Sequence, residues 1–308
     1  MGAIVAWNPR NLPDLAGKTY AVTGGNAGIG YFITEQLAAA GAHVALLGRD
    51  PSRLRAAVEM VRTRVGSASL STIPLDLADL DSVPAAVEAL GRLDRVDALI
   101  ENAGITAPGP VRRTTKQGLE LAVGTNHFGH FALTALAMPV LTASSARVVL
   151  AGSLITRMYP YDIDDLQSSH KYSDFRAYAL SKHAVQSFAM ELDRRLRAAG
   201  SPVQSILAHP GFSLERTSPA RPGITKPVPV MRLLAPYTHG KDHGAWPVVR
   251  AAIDPAATGG SYYGPAFGGV GRPRLGTAMG ASRDTARGRR LWTLSEEATG
   301  IRFALGDS

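Results

Sequence analysis

The chain contains no cysteine. Disulfides, zinc–thiolate centres and thiol nucleophiles are therefore excluded, and a cytoplasmic location is the compatible expectation. There is no apolar run of the ~18 residues that a membrane-spanning helix requires. The segment Met1 to Trp7 is apolar but short and has no basic stretch before it, so neither a secretory signal nor a membrane anchor is expected. Ala6 stands where a myristoylation signal would need Ser or Thr. No low-complexity linker or internal repeat divides the 308 residues, and one domain spanning 1–308 is expected. A basic tail is also missing. The net charge of +8 comes from scattered residues such as Arg53, Arg55, Arg62 and Arg64, without interleaved aromatics. This pattern reads as a solvated surface that suits an anionic small molecule, not nucleic acid.

What is present is a regular alternation of apolar strands and amphipathic helices. Strands are predicted at 19–23, 43–47, 70–75, 96–100, 147–151 and 203–207. Helices are predicted at 28–40, 52–65, 81–90, 119–141 and 175–199, with a last one at 284–299 in which Ser295 and Glu296 start a final turn. Such alternation implies right-handed crossovers and an α/β fold, a doubly wound parallel sheet with helices on both faces. After Pro210 the pattern changes. Residues 211–247 carry Pro, Arg and Thr with little periodicity and read as a loop or substrate lid. Residues 265–308 form a C-terminal extension, glycine-rich at its start.

The glycine-rich turn Thr23-Gly24-Gly25-Asn26-Ala27-Gly28-Ile29-Gly30 lies between the first strand and the first helix. Glycines there allow a tight turn and close approach of backbone to a pyrophosphate, and the helix N-terminus offers free N–H groups. Gly24, Asn26, Gly28, Ile29 and Gly30 are thus candidate cofactor contacts. After the second strand, Gly48 occupies the place of the acid that would bind a free ribose 2′-OH, and Arg49 follows it. A guanidinium at that point favours a 2′-phosphate, hence NADP(H) over NAD(H), with Asp50 explained as a helix cap. Asp76 and Leu77 end the third strand and could contact adenine. Asn102, Ala103 and Gly104 end the fourth, where small residues let a dinucleotide lie across the sheet edge.

Tyr178 and Lys182, four residues apart, share one face of a helix. A nearby ammonium favours the phenolate, so the expectation is that Lys182 lowers the Tyr178 pKa and fits it for proton exchange. With the preceding motifs in this order, residues 18–212 resemble the short-chain dehydrogenase/reductase family. The resemblance implies a single-domain Rossmann-type fold and carbonyl–alcohol interconversion by hydride transfer. It also implies four roles at the site. Asn126 would kink the central helix and hold a water, Ser153 would hydrogen-bond the reacting oxygen, Tyr178 would be the general acid/base, and Lys182 would bind the nicotinamide ribose. Pro210 and Gly211 match the turn beside the nicotinamide, with Ser213 or Thr217 in place of the threonine that follows it. Gly152 stands where members often have a first serine.

Ser153 and Tyr178 are 25 residues apart. This spacing, with the insert Asp164-Asp165-Leu166-Gln167, is similar to the retinol dehydrogenase and protochlorophyllide reductase branch, although His183-Ala184-Val185 departs from it. The resemblance further implies a homodimer or homotetramer formed through helices 119–141 and 175–199. No metal site is expected: the three-residue spacing of His127 and His130 is not enough to propose one, and His209 reads as a packed loop residue. Trp246 and Phe212 are candidates for the wall of a pocket for a hydrophobic small-molecule substrate. A non-catalytic NAD(P) sensor and a sugar-nucleotide epimerase or dehydratase are the alternative readings.

Overall fold

In the computed structural model, residues 7–224 and 238–305 are described. The first six strands are β1 (Thr19–Thr23), β2 (His43–Gly48), β3 (Ser69–Pro74), β4 (Ala98–Glu101), β5 (Arg147–Ala151) and β6 (Gln204–Ala208). Except in the edge strand β3, their side chains alternate between two cores, as a strand buried on both faces requires. Tyr20, Val22, Val44, Leu46 and Ile100 enter one core. Ala21, Ala45, Leu47, Leu99, Val148 and Leu150 enter the other. The helices α1 (Gly28–Ala39) and α2 (Pro51–Arg64) cover the first face, and α3 (Val83–Gly91) covers the second.

The central helix 119–141 of the sequence reading is three pieces: α4 (Leu121–Val123), a π-helical turn (Gly124–Phe128) and α5 (Gly129–Ala143). The expected kink at Asn126 is this π turn. The helix α6 (Asp174–Ala198) lies beside it on the same face.

After β6 come the two-residue strands β7 (Ser213–Leu214) and β8 (His239–Gly240), which pair in parallel with each other. Then follow α7 (Lys241–Ile253), β9 (Tyr262–Pro265), β10 (Pro273–Gly276), α8 (Gly280–Arg283) and α9 (Thr285–Thr299). The main sheet has the order β10-β9-β6-β5-β4-β1-β2-β3. The direction of winding reverses between β1 and β4, so the crevice at their carboxyl ends is the ligand position expected of an open α/β sheet.

Two expectations need correction and one is refined. The sheet is not wholly parallel: the glycine-rich 262–276 stretch makes a hairpin, and β10 runs antiparallel to β9. The last seven residues of the 211–247 span belong to α7, whose buried Ala245, Val248 and Val249 pack in the core with α1. Residues 225–237 of that span lie outside the described residues. Ser295 starts no new turn. It is fully buried inside a continuous α9, where its hydroxyl donates to the Leu291 carbonyl at 2.7 Å. Beyond these, α9 packs on α5 and α6. Trp292 of α9 and Phe303 after it meet Phe131 and Phe188 at ring distances of 5.4–6.3 Å, and Arg195 lies 4.1 Å over Trp292.

His127 belongs to the same aromatic cluster. Its Nε2–H donates to Ser295 Oγ at 2.7 Å, and its buried Nδ1 has no partner among the described residues. A proton on Nδ1 would find no acceptor, and burial pushes the imidazole down from 6.5 to about 3. The unfolded chain therefore takes up this proton first as pH falls. The stabilisation is complete above pH 6.5 and is lost progressively toward pH 3. His127→Leu should flatten the loss of unfolding free energy between about pH 7 and about pH 5 by ~1–2 kcal/mol. Denaturant unfolding at the two pH values measures it, and an unchanged slope would contradict a neutral His127.

Candidate active site

A cavity of about 660 Å³ opens at the carboxyl ends of β1 and β4. Its floor is the turn between β1 and α1. Gly24 holds a φ of 65°, and a Cβ on it would lie 3.1 Å from the Ala103 backbone. Gly30 does not line the cavity; it lets α1 approach the sheet. A Cβ there would fall 2.2 Å from the Gly24 carbonyl oxygen and 2.5 Å from Asn102 Nδ2. The N-cap of α1, Ala27, supplies no side-chain cap, and the first turn carries no acidic residue. By contrast, α2 is capped by Asp50, which accepts from the amides of Ser52 and Arg53. The bare amides of α1 facing a cavity are the arrangement that binds a phosphate. A dinucleotide therefore fits these residues.

The remaining candidate contacts gather as expected. Asn26, Gly28, Ile29, Arg49, Asp76 and Leu77 line the cavity, as do Asn102, Ala103, Gly104, Pro210, Gly211 and Ser213. The Asp50 side chain is committed to capping, and it also accepts from Ser52 Oγ at 2.6 Å. A Cβ on Gly48 would lie 2.9 Å from Asn26 Oδ1, so the position that would carry an NAD-type acid is crowded as well as vacant of a side chain. Thr217 is not in the cavity wall, and its hydroxyl donates to the Leu214 carbonyl. Trp246 and Phe212 do not line the cavity either. Trp246 stacks on His243, three residues before it in α7, at 3.9 Å, and Phe212 is 51 % exposed beside Gly269. His209 is buried and stacked on Tyr262 at 5.4 Å.

Tyr178 and Ser153 meet at the cavity wall, with the phenol oxygen donating to Ser153 Oγ at 3.3 Å. The insert between them folds back compactly. Asp165 accepts from the amides of Ser169, His170 and Lys171 and pairs with Arg176 of α6 at 3.0 Å. Gly152 is small for a packing reason, since a Cβ there would lie 3.1 Å from Gln186 Cγ.

Lys182 and Asn126 sit behind the wall. Lys182, 6 % exposed, donates to the Ala151 carbonyl at 2.8 Å. Burial pushes its ammonium down to about 8, against the attraction of Glu101. The expected lowering of Tyr178 is not found: burial raises the phenol pKa, and only the Ser153 hydrogen bond opposes it. Desolvation of the phenol dominates, and the Lys182 ammonium is turned toward Ala151. The Asn126 side chain accepts from Ile105 N at 2.7 Å and donates to the Ile105 carbonyl and Ser181 Oγ. Its main-chain carbonyl accepts from His130 Nδ1 at 2.9 Å.

The sequence reading missed three groups. Glu101 ends β4, is 2 % exposed, and accepts from the Thr134 hydroxyl. Burial raises its carboxyl to about 8, against the attraction of Lys182. An acid closing an apolar strand just before Asn102 was the available signal. Arg53, in the first turn of α2, joins Arg49 in the cavity wall. Lys241 reaches the cavity from α7, and nothing in its local sequence signals that.

The short chain dehydrogenase family pattern matches residues 18–218. Polyprenol dehydrogenase of Mus musculus is 35% identical over 304 residues, covering 96% of this chain and 87% of that protein. Retinol dehydrogenase 12 of Homo sapiens is 32% identical over 300 residues, covering 96% and 90%. The crystal structure of an uncharacterized protein from Mycobacterium paratuberculosis is similar with a TM-score of 0.79 at 34% identity, over 97% of this chain and 99% of that one.

Gly30→Ala should force α1 away from the turn. The expected cost is about 1–3 kcal/mol, read as a lower denaturant midpoint together with weakened binding of nicotinamide dinucleotide. Unchanged stability and binding would show that the close approach at Gly30 is not needed.

Proposed function

The chain belongs to the short-chain dehydrogenase/reductase family, whose members are NAD(P)-dependent oxidoreductases, and we propose that it interconverts a hydrophobic carbonyl compound and its alcohol with NADP(H). The observation that carries this reading is the Tyr178–Ser153 contact at the wall of a dinucleotide-sized cavity. When bound, the nicotinamide supplies or accepts the hydride. The residues at Gly24–Ile29 would hold the diphosphate, Arg49 and Arg53 the 2′-phosphate, and Asn102–Gly104 with Pro210–Gly211 the nicotinamide half.

Ser153 orients the carbonyl oxygen of the substrate, and the Tyr178 hydroxyl gives that oxygen its proton; in the alcohol direction Tyr178 takes the proton back. A phenol raised by burial is a weak acid in the free protein. The Lys182 ammonium, one helical turn on, becomes useful to it as charge develops on the phenol oxygen, and it would also hold the nicotinamide ribose. Asn126 fixes the backbone behind both groups. Its carbonyl has a second lone pair besides the one used by His130, which is available for a water serving Lys182.

Support for NADP(H) is the crowding at Gly48, the commitment of Asp50 to its cap, and two guanidinium groups in the wall. Support for a hydrophobic substrate is the naming of relatives as polyprenol and retinol dehydrogenases. The sensor alternative leaves the joined Ser153–Tyr178 pair without a use.

Tyr178→Phe should lower turnover of a panel of hydrophobic ketones and aldehydes by about 10²–10⁴-fold while NADPH binding persists. Retained turnover would remove Tyr178 from the chemistry. Arg49→Ala should reduce the preference for NADPH over NADH by about tenfold or more, measured as the ratio of kcat/KM values. An unaltered ratio would refute the phosphate clamp.

A further inference from the structure

Lys241 is the first residue of α7, and its side chain forms part of the cavity wall. Its ammonium reaches the start of α1: a Cβ built on Gly28 would lie 3.7 Å from Nζ. The positive ends of two helices, α1 and α7, are thus beside one cation, a placement that the helix dipoles disfavour unless an anion joins it. The position is built and held. Gln36 of α1 donates to the Asp242 carbonyl at 2.8 Å, Lys241 N donates to Ser218 Oγ at 2.9 Å, and the β7–β8 pairing ends at Gly240, the residue before Lys241. The anion in this structure is Glu215, whose carboxylate accepts from Lys241 Nζ. Glu215 begins the short helical turn that follows β7.

We propose that Lys241 is a ligand of the cofactor diphosphate, and that Glu215 parks its ammonium in the free protein and competes with the diphosphate for it. The inference rests on the NADP(H) reading above. The cavity wall between Gly28 and Lys241 is where bare α1 amides and an ammonium converge, which is what a diphosphate recognises. A carboxylate at that place is repelled by the same diphosphate. Cofactor binding therefore exchanges the anion that Lys241 holds, and the measured affinity includes the cost of breaking the Lys241–Glu215 pair.

The test is direct binding to the full chain, by titration calorimetry or quenching of NADPH fluorescence. The ligands are NADPH, ADP-ribose and adenosine 2′-monophosphate, which has no diphosphate. Lys241→Met should weaken NADPH and ADP-ribose by about tenfold or more and leave adenosine 2′-monophosphate unchanged. Lys241→Arg should restore most of the loss. Glu215→Gln should tighten NADPH and ADP-ribose several-fold.

Undiminished ADP-ribose binding by a folded Lys241→Met, or an equal loss for all three ligands in it, overturns the proposal, as does Glu215→Gln binding no tighter than wild type. Thermal unfolding shows whether Lys241→Met is folded; if it is not, Glu215→Gln decides alone. A wild-type protein that binds neither NADPH nor NADH sinks the cofactor reading and this proposal with it. Wild-type binding together with an unaltered Lys241→Met sinks this proposal only.

Discussion

The hydroxyl of Thr23, fully buried at the end of β1, ties together the groups on which the site depends. It accepts the amides of Asn102 and Ala103, each at 3.0 Å, and so clamps the end of β4 to the end of β1. Because His130 Nδ1–H must donate to the Asn126 carbonyl, its Nε2 is the acceptor, and the Thr23 hydroxyl donates to it at 2.9 Å. Burial holds this imidazole down at about 4, so the arrangement persists at neutral pH. From Asn126 the chain of bonds runs through its amide to Ser181 Oγ, and from Ser181 to the Tyr178 carbonyl at 2.7 Å. The floor of the dinucleotide cavity and the helix that carries the phenol are thus parts of one buried hydrogen-bond network, in which each unmet polar group would be costly.

This network explains why the π turn falls at Gly124–Phe128. Within it the Asn126 carbonyl accepts from His130, and the Asn126 side chain holds both polar groups of Ile105. Such turns are a recurrent local distortion at functional sites. Behind it, Lys182 and Glu101 share the same buried layer, and burial acts on them in opposite directions: the ammonium is pushed down and the carboxyl up. The layer gives Tyr178 a polar backing without exposing it to bulk water.

The C-terminal extension has two separate structural jobs. Its hairpin lengthens the sheet beyond β6, while α9 closes the outer face of α5 and α6 with an aromatic cluster. Phe131, Phe188, Trp292 and Phe303 bury large apolar area there, and Arg195 covers the indole.

The sequence by itself determined the alternation of strands and helices, the glycine-rich turn, and the identity of many of the groups that meet in the cavity. These are local properties: period-two and helical patterning, backbone freedom at Gly24, and the one-turn spacing of Tyr178 and Lys182 are all set by covalent geometry. Of the proposed residues, Gly30, Asn126 and Lys182 proved to stand behind the cavity instead of in its wall, because depth is not encoded in spacing. Only the tertiary structure decided that Lys182 leaves Tyr178 raised, since a pKa depends on burial and on where an ammonium points. It alone brought Lys241 to Gly28, placed Glu101 beneath the site and laid α9 over α5 and α6. Those contacts join residues far apart in the chain, and they follow from how α7, β4 and α9 pack, which no local pattern records.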